Sequence, residues 1–177
     1  MCSSDLPARG SPVPASLPLG CVRMTERFLA SDPPAGAEME ALRRHASETL
    51  AAGVPPSVPR PTTRLVGAGG TITSAAALSL GLGTYAPERI HGFLLTIREI
   101  RRLADLLVSL PLARRWEIPG IEEKRADILP AGLMVLEAIM AFLSAAAITV
   151  SDEGILHGAL LAWGGGTRRI ASSRGRG

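Results

Sequence analysis

The sequence predicts an α/β fold, and three observations predict it. Short β-like apolar runs alternate with longer segments of helical spacing, in the order β-α-β-α-β-α-α-α-β-α. At 64–78 a short buried strand runs straight into a glycine turn and an apolar helix. The turns at 67–71 and 151–154 both follow strands, and in open α/β sheets ligands gather at the carboxyl ends of strands.

The composition bounds the fold and its partners. A chain of 177 residues fits one ordinary domain, and 46% hydrophobic content supports a core. With 3% aromatic residues, that core is aliphatic. The net charge of +3 is carried by arginine, since Lys124 is the only lysine. No basic stripe interleaved with aromatics is present, so no nucleic-acid partner is expected. Spread-out arginine suits a phosphate-bearing ligand, although most such side chains simply face solvent. Cys2 and Cys21 make neither a disulfide framework nor a zinc site. With no signal-peptide pattern, this points to the cytoplasm. Residues 128–151 hold one charge, Glu137, over a length that spans a bilayer. Pro130 and Gly132 at its start and Glu137 at its middle argue against a membrane segment.

The elements follow in order. Residues 1–15 read as a disordered Pro/Ser/Gly leader. Leu17, Leu19 and Cys21 alternate, predicting a strand within 16–29 that runs into a turn. Asp32-Pro33-Pro34 signals a helix start with Asp32 as the cap. The helix covers 38–52, with Leu42, Ala46 and Leu50 inward and His45 on the surface. Four prolines make 53–63 a loop. After the glycine turn, a helix runs from Thr71 to about Leu80 and ends at Gly81-Leu82-Gly83. A turn at 85–89 leads to a strand at 90–95, with His91 outward. Thr96-Ile97-Arg98-Glu99 is a capping box. Its helix turns Ile97, Ile100, Leu103, Ala104 and Leu107 inward and Arg98, Arg101, Arg102 and Asp105 outward, and Pro111 stops it. A short helix at 112–116 closes at Pro119-Gly120. Asp127 is the expected N-cap of a long buried helix reaching about 144, with Pro130 in its first turn. A strand at 147–150 and a last helix at 155–162, capped by Asp152, precede a flexible basic tail at 164–177.

The glycine turn is the candidate binding feature. Gly67, Gly69 and Gly70 let the backbone approach a ligand. A helix starting at Thr71 aims free N–H groups and its positive dipole end at the turn, and Thr71, Thr73 and Ser74 add hydroxyls. That suits an anion, phosphate above all. The same turn also occurs with nothing bound, and the glycines alone do not separate the two. Ile72 replaces the third glycine of a Rossmann fingerprint, and no Gly-Lys-Ser/Thr closes a P-loop. Glu26 beside Arg27, and the Glu122-Glu123 pair, read as surface groups. No clustered carboxylates offer both a base and a metal site, so no catalytic and no metal-binding residue is assigned.

Five stretches carry a resemblance: SLPLGCVRMTERFLASDPP, LVGAGGTITSAAALSLGL, YAPERIHGFLLTIREIRRLADLL, GIEEKRADILPAG and ITVSDEGILHG. Together, over 16–162, they resemble the C-terminal half of the exopolyphosphatase and guanosine pentaphosphate phosphohydrolase (Ppx/GppA) family. The resemblance implies a partial domain at 16–163: the second, ribonuclease H-like domain of an actin-like ATPase superfold, a mixed sheet with helices on both faces. It implies terminal phosphate release from polyphosphate or guanosine pentaphosphate, assisted by Mg²⁺. Gly67, Gly69, Gly70 and Thr71 match the family's Gly-x-Gly-Gly-Thr turn, Arg125 and Asp127 its Arg-Ala-Asp, and Ser151, Asp152 and Gly154 its Ser-Asp-x-Gly. Leu156 stands where the family usually has arginine. The family's first phosphate loop, catalytic glutamate and Asp-Gly-Gly-Gly-Ser loop precede the matched stretches and do not occur in this sequence. The expectation is therefore a phosphohydrolase fragment that binds phosphate and is inactive alone. The other reading is a non-catalytic binding or dimerisation module, in which the apolar 128–144 helix serves a homodimer.

Overall fold

The computed structural model describes residues 15–58, 60–61 and 64–154. The expected leader (except Ala15), the last helix, the position of Leu156 and the basic tail lie outside the described residues.

The first element is a helix, α1 (Cys21–Phe28), where a strand was expected. The alternation that suggested a strand covers only the extended lead-in, in which Leu19 is buried. From Cys21 on, the inward positions are Cys21, Met24 and Phe28, a helical spacing, with Met24 fully buried. Helix α2 (Gly36–Gly53) packs Leu42, Ala46 and Leu50 inward, as their spacing requires. Asp32 does not cap it. The Glu38 carboxylate instead accepts from the backbone N–H groups of Ala30, Ser31 and Ala35, folding the loop back onto the helix start. These bonds, led by that from Ala35, hold the Glu38 carboxyl below its ordinary pKa.

Strand β1 (Val66–Ala68) was expected to be buried, but it is an edge strand with Val66 and Ala68 exposed; it leads into helix α3 (Gly70–Ser79), which begins one residue earlier than expected. Gly81 takes φ +64°, and Leu82 N–H donates to the Ala77 carbonyl while Gly81 N–H donates to that of Leu78. This paired bonding of the last carbonyls is a Schellman stop. The expected strand at 90–95 is mostly something else. Residues Pro87–Ile90 form a short helix, α4, with Pro87 in its first turn; Gly92 at φ +80° then turns the chain. Only Leu94–Thr96 forms strand β2, so His91 is exposed but not on a strand. Helix α5 (Ile97–Ser109) starts at the predicted capping box: Glu99 N–H donates to Thr96 Oγ1 (3.2 Å), and Thr96 N–H donates to Glu99 Oε2 (2.8 Å). Helix α6 (Leu112–Arg115) follows Pro111.

Helix α7 (Leu129–Phe142) is the centre of the molecule, with α5, α2, α1 and α3 packed around it. Every residue from 129 to 136 is buried, which is why the segment carries so few charges. Asp127 is not its N-cap. That position is Ile128, and among the described residues Asp127 accepts only from the Ile128 N–H. Pro130 sits in the first turn, as expected.

Strand β3 (Ala147–Ser151) is the middle of a three-stranded mixed sheet, parallel to β1 and antiparallel to β2. Leu95, Ile148 and Val150 lie on its core face. On the other face Val66 and Leu94 both stand opposite Thr149, and each is more than half exposed. Among the described residues, cover on both faces is therefore found on one.

Candidate anion-binding site

The register of β1 on β3 builds the site. Ala68 pairs with Ser151, so the glycine turn and the 151–154 turn leave the sheet side by side. Each glycine in the first turn has a different task. A Cβ on Gly67 would come within 2.6 Å of Ile72 Cδ1, so Gly67 serves packing. Gly69 has φ +116° and no atom within 4 Å of where a Cβ would lie: strained for any other residue, and open above. Gly70 opens α3, and a Cβ there would fall onto the Arg125 guanidinium. Among the described residues, the Gly70 and Thr71 N–H groups have no hydrogen-bond partner.

Arg125 thus lies over bare backbone at the positive end of a helix. Its Nε donates to Glu122 Oε2 at 3.0 Å, which ties the side chain down and leaves its two terminal nitrogens beside Gly70. Glu122 is accordingly an ion-pair partner rather than one of two solvated carboxylates. Thr71 points the other way: a Cβ on Gly132 would meet its Oγ1 at 2.7 Å, so its side chain faces α7. Asp127 is set apart. It lines a groove of about 370 Å³ with Leu112, Trp116, Glu123 and Lys124, and its charge acts on Arg115. Ser151 closes its own turn, with Oγ accepting from the Glu153 N–H.

Two residues, Tyr85 and Glu122, join the site that the sequence did not single out for it. Tyr85 donates its hydroxyl to Asp152 Oδ1 and also faces Thr73. Thr73 is buried in the first turns of α3 beside the Gly69 and Gly70 carbonyls. Burial first, and the Asp152 bond second, push the Tyr85 phenol above its ordinary pKa. Glu122 is the second, through its ion pair with Arg125. A cavity of about 160 Å³ opens here, lined by Ser74, Tyr85 and Glu122 among others. The chain's single tyrosine stands in a turn with no periodicity, and this contact spans 67 positions, so nothing local signalled it.

Among the described residues, no group of three His, Cys, Asp or Glu side chains could hold a metal ion, and no helix is long and apolar enough to cross a membrane.

Residues 10–165 match the Ppx/GppA phosphatase family. The chain belongs to that family. It is similar to Exopolyphosphatase 2 of Mycobacterium tuberculosis, 32% identical over 155 residues, covering 85% of this chain and 48% of the relative. The Ppx-GppA enzyme of Aquifex aeolicus superposes with a TM-score of 0.76 at 31% identity, covering 82% of this chain and 48% of that one. An exopolyphosphatase from Cytophaga hutchinsonii gives 0.69 at 27% identity, covering 84% and 48%. The chain thus spans about half the length of these Ppx/GppA proteins.

Proposed function

We propose that this chain is the phosphate-holding portion of a Ppx/GppA-type phosphohydrolase, acting in release of terminal phosphate from polyphosphate or guanosine pentaphosphate. The observation that carries the reading is Arg125 over Gly70, where two unpartnered backbone N–H groups and a helix N-terminus adjoin a guanidinium. Ribonuclease H-like, actin-like topology is part of the reading, supported by the parallel β1–β3 pair and the family match.

The chain's own groups bind and orient. The Gly70 and Thr71 amides and the Arg125 fork suit the oxygens of one phosphate, and the open space over Gly69 gives the anion access. Hydrolysis also needs a base for water, and the two carboxylates beside this turn, Asp152 and Glu122, are engaged by Tyr85 and Arg125. Mg²⁺ would neutralise phosphate charge in the whole enzyme. Asp152 and Glu122 are occupied by Tyr85 and Arg125 and do not form a metal site, so no step here runs through the ion. The cytoplasmic setting stays part of the proposal.

Amide NMR with pyrophosphate tests the reading. Saturable shifts are expected at Gly69, Gly70, Thr71 and 151–154, lost in Arg125→Ala, with no phosphate released. Absence of shifts at these residues rejects it.

A further inference from the structure

We propose that Tyr85 is a positioning residue of this site: its hydroxyl occupies the Asp152 carboxylate and keeps that negative charge out of the path of an anion arriving over Gly69 and Gly70. The inference rests on the reading that the glycine turn receives phosphate. It starts from an electrostatic difficulty. The β1–β3 register brings Asp152 out beside the turn, one residue beyond the Ala68–Ser151 pair. A bare carboxylate there opposes a phosphate, and among the described residues no cation pairs with Asp152. Glu122, the other carboxylate nearby, is already matched by Arg125.

Tyr85 resolves the difficulty without adding a competitor. A cation on Asp152 would neutralise it but would also draw the phosphate off the amides. A phenol gives one charge-assisted hydrogen bond, carries no charge of its own, and engages one oxygen of the carboxylate. Its position allows this, because the hydroxyl stands between Asp152 and Thr73, on the first turns of α3. Burial and the neighbouring carboxylate keep the phenol protonated well into the alkaline range, so the donor persists wherever phosphate is ionised.

Calorimetric titration of the full chain with inorganic pyrophosphate tests this through a double-mutant cycle. Tyr85→Phe frees the carboxylate and is expected to weaken binding about tenfold, the size of one uncompensated like charge at close range. Asp152→Asn binds at least as well as the native chain. Tyr85→Phe with Asp152→Asn regains the affinity of Asp152→Asn alone. A merely structural tyrosine would not be rescued by changing the aspartate. The proposal is overturned if Tyr85→Phe binds normally, or if the double variant stays as weak as Tyr85→Phe. Because Tyr85 is the only tyrosine, its ionisation can be followed by absorbance without ligand, and Asp152→Asn should lower the midpoint. An unchanged midpoint beside intact pyrophosphate binding defeats this inference alone. Absence of binding by the native chain defeats the phosphate reading and this inference with it.

Discussion

Arg115 and Arg125 stand ten positions apart, and each faces a carboxylate. Arg115 is 3% exposed; its Nε donates to the carbonyls of Leu107 (2.7 Å) and Leu110 (2.9 Å), and its Nη2 lies 3.3 Å from Asp32. Asp32 in turn accepts from the Leu112 N–H at 2.8 Å. Arg125 is half-buried, makes one bond to Glu122, and rests its remaining nitrogens against a glycine. The first arginine gathers up the end of α5, the start of α6 and a loop 83 residues away. The second has donors to spare. A guanidinium whose donors are taken by carbonyls holds a fold together, whereas one lying over bare backbone can receive a ligand.

The largest expected effect falls on the first. Arg115→Ala strands two carbonyls and a carboxylate and should cost about 3 kcal/mol of unfolding free energy. Arg115→Lys should recover only part, because an ammonium cannot reproduce the fork. Arg125→Ala should stay within about 0.5 kcal/mol of the native chain, as surface changes do. Urea unfolding monitored by circular dichroism measures all three. Equal losses for the two alanine variants would erase the distinction.

A smaller effect separates two glycines on the same basis. A Cβ at Gly132 would sit 2.7 Å from Thr71 Oγ1, 2.8 Å from Thr71 Cγ2 and 3.2 Å from Cys21 Cβ, where α7 crosses the starts of α3 and α1. These atoms belong to packed helices and cannot swing away, so Gly132→Ala should cost about 1–3 kcal/mol in the same measurement. The atoms that Gly70→Ala would meet are the far end of a long arginine. That variant should displace Arg125 with a smaller loss, and a loss as large as that of Gly132→Ala would mean that Arg125 is held more rigidly than its single bond implies.

The same difference governs how much was legible in the sequence. Helices α2, α5 and α7 could be read because Leu42, Ala46 and Leu50, or Ile100, Leu103 and Leu107, repeat at the spacing their own helix imposes. The glycine turn and its neighbourhood to Ser151 followed from strand ends sharing one edge of a sheet. What was missed is set by distant partners. Asp32 looked like the cap of the next helix in sequence, yet it serves α6 and Arg115. Tyr85 finds Asp152 across 67 positions. Asp127 matched a family triplet beside Arg125 but turns to the α6 side. Around α1, the alternation of Leu17, Leu19 and Cys21 stopped where the helix began, and a short window could not reveal the change of period.

The smallest expected effect concerns a charge that, unlike either arginine, can be switched off. The Glu99 carboxyl is held below its ordinary pKa of 4.5, first by the Thr96 hydroxyl and next by the Thr96 backbone N–H. A depressed carboxyl stabilises the fold above its unfolded pKa, and that contribution disappears as pH falls through the folded value. At pH 7, Thr96→Ala should therefore cost about 1 kcal/mol, the usual worth of an N-cap. The gap between native and variant should narrow as pH drops below about 4.5, because protonated Glu99 no longer rewards the hydroxyl. Urea midpoints from pH 7 to 3 measure this. Both arginines keep their charge over that whole range, so an acid-dependent difference belongs to the Thr96–Glu99 box. A gap constant with pH would mean instead that the Thr96 oxygen caps the helix through the Glu99 N–H alone.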